Sequence, residues 1–238
     1  NKPALPPSPS QTGTTTPVFS SSENRTATGG LVPASAPLQS GNGYTMAVAF
    51  WDATEGQLRS DYHSDITATF GNASTLQQAK DTYTTVTGNT LVGAFSADGI
   101  IGWGRWASAT EVSESYAANE RLGGTSLLKD VPDVIGKATP ANDLVNLNGI
   151  QATYQIIGFT LPTSTTGLVG QAPSGSLALT FGSGYISSAN LALSVPIGSS
   201  TYNVSGNGYG YSGGTFYGYG SLNFSGFVAG SNASHAGV

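Results

Sequence analysis

Cysteine is absent from the 238 residues, and only one methionine is present. Disulfides, thiolate metal sites and cysteine nucleophiles are excluded together. Charge is also scarce. Charged residues make up 9% of the chain, with 8 Lys and Arg against 13 Asp and Glu, for a net charge of -5. Neutralising phosphates requires clustered cations, so eight scattered ones argue against a nucleic-acid partner. No apolar run approaches the roughly 20 residues of a membrane-spanning helix. Solubility has to come from Ser, Thr, Asn and Gly.

Catalytic vocabulary is equally thin. The two histidines, His63 and His235, lie in polar stretches without HxxxH or HExxH spacing, which reads as exposed imidazole and not as a metal site. There is no GxSxG elbow. The glycine-rich tail lacks the Lys and following helix of a phosphate-binding loop. The acid pairs Asp61/Asp65 and Glu111/Glu114 read as solvated loop charge, not as a glycosidase pair. The sequence therefore assigns no catalytic residue, no metal and no cofactor, and the reading is non-enzymatic. Sequons at Asn24, Asn72, Asn203, Asn223 and Asn232 fit an Asn/Ser/Thr-rich surface.

What is present divides in two. Residues 1–40 hold most of the twelve prolines and are otherwise rich in Ser, Thr and Ala, the composition of an extended, polyproline-like arm. Within it Thr16, Pro17, Val18 and Phe19 form a short apolar, β-competent patch suited to adding to a sheet edge. The chain starts at Asn1, not Met, which reads as an exported product after signal removal, extracellular or at the cell surface.

Residues 41–238 carry period-two patterning. Tyr44, Met46, Val48 and Phe50 share one face against small Ala47 and Ala49, and Ile66, Ala68 and Phe70 oppose Asp65, Thr67 and Thr69. Leu91–Phe95 and Ile100–Ala107 flank a Ser-Ala-Asp-Gly turn as a hairpin. A turn of helix is expected in LQQAKDTY, and a short helix over Glu114–Leu122 capped by Gly123. Pro132 and Pro140 place residues 131–140 at an edge or rim. Further strands are expected around Ala152/Tyr154/Ile156, Leu177/Leu179/Phe181 and Leu191/Leu193/Val195/Ile197. In the tail, Phe216, Gly218, Gly220, Leu222, Phe224, Gly226 and Val228 alternate with Tyr217, Tyr219, Ser221, Asn223 and Ser225 as one strand with a single apolar face. Nine or ten short strands without a fixed repeat predict an all-β antiparallel barrel or sandwich.

The segments GIIGWGRWAS (99–108), VIGKATP (134–140), ATYQIIGFTLPTSTTGLVG (152–170), SGSLALTFG (174–182) and FSGFVAGSNASHAGV (224–238), in this order, resemble the C-terminal barrel of transferrin-binding-protein-B-like bacterial surface lipoproteins. The same barrel is carried by some FecR-type proteins. The resemblance implies an eight-stranded antiparallel β-barrel outside the cell or in the periplasm, without catalytic machinery. Two departures stand out. Pro132 and Asp133 replace the family's aromatic pair, and the family's closing strand is missing after Val238.

Two functions follow as expectations. In the first, the chain is a structural subunit whose arm, through Thr16–Phe19, donates a strand to a neighbouring copy at an acceptor edge formed by Leu222, Phe224, Phe227 and Val228. The product is a filament whose partner is the chain itself. In the second, it is a surface or periplasmic module binding a protein such as a host iron carrier. Trp103 and Arg105, on one strand face, are the ligand-contacting pair, against a structural reading in which one tryptophan is core.

Overall fold

A computed structural model describes residues 38–238 apart from 53–56, 72–75, 83, 97, 118–119, 163, 165–167, 211–212 and 222. The arm residues Thr16, Pro17, Val18 and Phe19, and Leu222 of the expected edge, lie outside the described residues.

The fold is all-β and antiparallel, and its strands are divided between two sheets. The first closes into a six-stranded barrel from β1 (Gly41–Asp52), β2 (Gln57–Phe70), β3 (Leu76–Lys80), β4 (Thr84–Phe95), β5 (Ile101–Ala117) and β6 (Glu120–Lys137). The second is a seven-stranded meander curved into a half-barrel: β7 (Gln151–Gln155), β8 (Ser174–Phe181), β9 (Ile186–Ile197), β10 (Ser200–Tyr209), β11 (Thr215–Gly220), β12 (Phe224–Ala229) and β13 (His235–Gly237). A short helix, α1 (Ala141–Asn146), joins the two sheets and buries Leu144 completely.

Alternation explains the barrel. Tyr44, Met46, Ile66, Leu76, Trp106, Val131 and Ile135 fill its interior, with Trp106 fully buried. Successive side chains on a strand face opposite ways, so Ala47, Ile101 and Val134 from the same strands lie on the outer wall. There they form a separate apolar cluster with Phe227 and Ala229 of β12. Strand β12 is buried at all six positions. Phe224 and Val228 belong to the core of the half-barrel, while Phe227 and Ala229 press on the barrel wall. The link is also made by backbone: Thr139 N–H donates to the Val228 carbonyl at 3.0 Å and Gly230 N–H to that of Lys137 at 3.2 Å.

Three sequence expectations are corrected. Glu114–Leu122 is not helical. It is the distal part of the β5–β6 hairpin, paired in register from Ser113↔Gly124 to Ala117↔Glu120. A nine-residue helix is marginal in isolation, and pairing between β5 and β6 takes its place at the described positions. LQQAKDTY likewise opens with strand β3, whose Leu76 and Ala79 enter the barrel core. The tail forms two strands, not one, because the chain turns back between Gly220 and Phe224 so that Gly218 pairs with Phe224. Glycine is needed at Gly218: a Cβ there would sit 2.3 Å from the Phe224 ring.

Removing the Phe227 ring would leave a cavity between the two sheets. Phe227→Ala is expected to cost about 3–5 kcal/mol, read by urea denaturation. A loss below about 1 kcal/mol would show that the contact is dispensable.

Candidate functional site

The two edges of the seven-stranded sheet, β7 and β13, do not pair with each other. β13 spans three residues and covers only Phe227–Ala229 of β12, so on that side Phe224, Ser225 and Gly226 lie beyond its register. This corrects the expected acceptor edge at Phe227 and Val228: both already pair with β13, through Gly237 and Ala236. The edge strands of the sheet are β7 and β13, and Phe224–Gly226 lie next to the end of the short β13 ladder.

Between these edges and the barrel wall lies a cavity of about 300 Å³. Leu177, Leu191, Leu193 and Phe224 line it from the half-barrel, Tyr154 and Gln155 from β7, Ala236–Val238 from β13, and Ala47, Trp103 and Val134 from the barrel. Tyr154 anchors one margin by donating its hydroxyl to the Ala233 carbonyl at 2.8 Å.

Strand geometry brings polar groups into this apolar setting. The β1–β6 ladder ends at Val48↔Asp133. The next residue up β6 is Pro132, which has no N–H to continue it. The strands part there, and Asp133 stands at the fork, 5% exposed. Burial pushes its carboxyl up to about 7, opposed by the nearby Arg105 guanidinium. Asp133 Oδ1, Trp103 Nε1 and Ser225 Oγ are buried without a hydrogen-bond partner among the described residues, and all three residues line the cavity. Two further such atoms, on Trp106 and Thr139, lie elsewhere. Unsatisfied buried polar atoms cost about 1–3 kcal/mol each, so three around one cavity mark a place where an occupant with donors and acceptors would be stabilising.

The Trp103 and Arg105 pair separates. Trp103 packs against the backbone of Gly158, where no Cβ fits, and borders the cavity. Arg105 is buried and donates to the Leu161 carbonyl, which ties the 156–162 connection to the barrel. Neither histidine is freely exposed, contrary to expectation. His63 Nδ1 lies 2.8 Å from Asp81 Oδ2. His235, 7% exposed, lies 3.0 Å from Ser234 Oγ and 3.5 Å from Asp98 Oδ2. Burial lowers the His235 pKa against the raising effect of Asp98. Asp98 in turn accepts from Ser96 within the β4–β5 turn. The Ser234–His235–Asp98 sequence of contacts lies outside the cavity and serves to join this turn to the half-barrel. No cluster of three or more His, Asp or Glu suited to a metal occurs among the described residues.

Comparison with protein-family models, curated protein sequences and solved structures finds no match. The site therefore rests on its own geometry. Asp133 was open to detection from sequence as a lone acid between inward-facing Val131 and Ile135. Ser225 carried no such signal, because its surroundings come from the packing of one sheet on the other.

Asp133 also sets a pH dependence. A folded-state pKa near 7 against 3.8 unfolded means that its contribution is full below about pH 4 and is lost as pH rises towards 7, at up to about 1.4 kcal/mol per pH unit. Asp133→Asn is expected to remove this slope relative to wild type, measured by urea denaturation at pH 4, 5.5 and 7. Parallel wild-type and variant profiles would contradict the assignment.

Proposed function

We propose that this chain is a non-enzymatic structural protein, exported to the cell surface or beyond, that self-assembles by strand addition. An extended segment of a neighbouring copy enters between β7 and the Phe224–Gly226 edge. The observation that carries this reading is the cavity beside the two edge strands of the sheet, β7 and β13, which do not pair with each other. A strand of five residues spans about 17 Å, the length of β7. Such a strand supplies a row of N–H and C=O groups along the sheet edge and alternate apolar side chains to the Leu177–Leu193 floor. It also brings donors and acceptors to Asp133, Trp103 and Ser225.

The occupant we favour is Thr16–Phe19, with Val18 and Phe19 directed to the floor. The 18 residues between Phe19 and Leu38, at most about 3.3–3.6 Å each when extended, give this patch ample reach. Donation between copies joins unlike surfaces, so the assembly propagates as an open filament instead of closing as a two-fold dimer. This reading keeps the resemblance to the transferrin-binding-protein-B-like barrels at the level of fold and location.

The cavity volume favours a second reading. About 300 Å³ lies at the lower end of small-ligand sites, so the chain as a ligand-binding surface module predicts occupancy by a small molecule or a protein partner's side chain.

The absence of cysteine makes the test clean. With Val18→Cys and Gln155→Cys combined in one chain, mild oxidation is expected to yield a ladder of covalent multimers on denaturing gels. Internally cross-linked monomers would overturn the filament, and no cross-link would overturn the arm as occupant.

A further inference from the structure

A second recess lies beside the first, where the outer face of β2 meets the β11–β12 turn. It has a volume of about 380 Å³ and is lined by Ser60, Asp61, Tyr62, Tyr217, Tyr219 and Asn223, with Ser225 at its base. Its wall is an aromatic ladder. The Tyr217 and Tyr219 rings are 5.6 Å apart, and Tyr217 lies 5.1 Å from Tyr209. Tyr219 is 62% exposed. Glycines beneath the ladder account for its position: Gly206, Gly208, Gly218 and Gly220 pair across β10 and β11, leaving the inner face to Phe224 and the tyrosines to the outer one.

We infer that this recess is a binding site for a neutral carbohydrate. Exposed tyrosine rings offer flat apolar plates with polar rims, which suit the C–H faces of a pyranose. The polar atoms beside them are of the kind that bind vicinal hydroxyls. Asp61 accepts from the Tyr62 N–H through Oδ1 at 2.7 Å, and Asn223 supplies a carboxamide. The Ser225 hydroxyl, 5% exposed and without a partner among the described residues, borders both recesses, so an occupant of either could pair with it. Charge selects the class. Among the described residues, Asp61 is the one carboxylic acid in the lining and no Lys, Arg or His joins it, which disfavours sugar acids and phosphosugars. The inference does not depend on strand donation, because the tyrosine ladder lies outside the cavity between β7 and β13.

The test is titration of the full chain by calorimetry and saturation-transfer NMR. The probes are glucose, galactose, mannose, N-acetylglucosamine and their 1,4-linked disaccharides up to 50 mM, with glucuronate as the charged control. At least one neutral sugar is expected to bind saturably. Tyr219→Ala should weaken it at least tenfold, Tyr219→Phe less than threefold, and Tyr202→Ala, remote on β10, not at all. Both Tyr219 and Tyr202 are exposed, so these variants leave the core intact. No saturable binding by any neutral sugar, binding unchanged in Tyr219→Ala, or equal binding of glucuronate would overturn the assignment.

Discussion

Strand β12 is the element on which the rest of the structure depends. A strand in a one-layered sheet buries alternate residues, but β12 buries all six. Its even positions complete the half-barrel core, and its odd positions meet the barrel wall. Each buried aromatic or aliphatic side chain contributes on the order of 1.5–3 kcal/mol. One six-residue segment thus couples two cores, each of which has an open or apolar side without it. The small residues opposite it are part of the same constraint. Ala47 on β1 and Gly136 on β6 leave room for the Phe227 ring, and a Cβ at Gly136 would lie 3.2 Å from it.

That coupling also creates the site. Because the barrel wall, not an eighth strand, covers the mouth of the half-barrel, the sheet edges at β7 and β13 keep their distance and a cavity remains between them. Pro132 ends the β1–β6 ladder at the same level, which places a buried carboxyl where an ordinary barrel strand would have an apolar side chain. Strand register, one proline and two-sided packing of β12 together bring unsatisfied polar groups and the sheet's two edge strands into one region.

Local patterning in the sequence was enough for the barrel interior and for most of the half-barrel core. The alternation at Tyr44–Val48 and at Leu177–Phe181 matches the faces found. The edge expected over residues 131–140 from Pro132 and Pro140 is not found: Asp133–Lys137 pair with β1 on one side and Asp133–Gly136 with β5 on the other. What escaped was non-local. Helix signals at Glu114–Leu122 yielded to a long hairpin whose partner strand was read separately. The tail's alternation ran through a turn, because Ser221 and Asn223 keep the period-two pattern while reversing the chain. Of the expected acceptor edge, Phe227 and Val228 are residues that β13 already covers. The burial of His235 depends on Asp98, more than a hundred residues away, and no spacing rule reports such a contact.

The central claim is that the margins at β7 and Phe224–Gly226 are filled by an added strand in the assembled protein. Amide hydrogen exchange tests it most directly, comparing the full chain with one lacking residues 1–22. Protection across Gln151–Gln155 and Phe224–Gly226 in the full chain, lost in the shortened one while the β8–β9 ladder stays protected, is the expected result. Identical exchange at these margins in both chains would contradict the account.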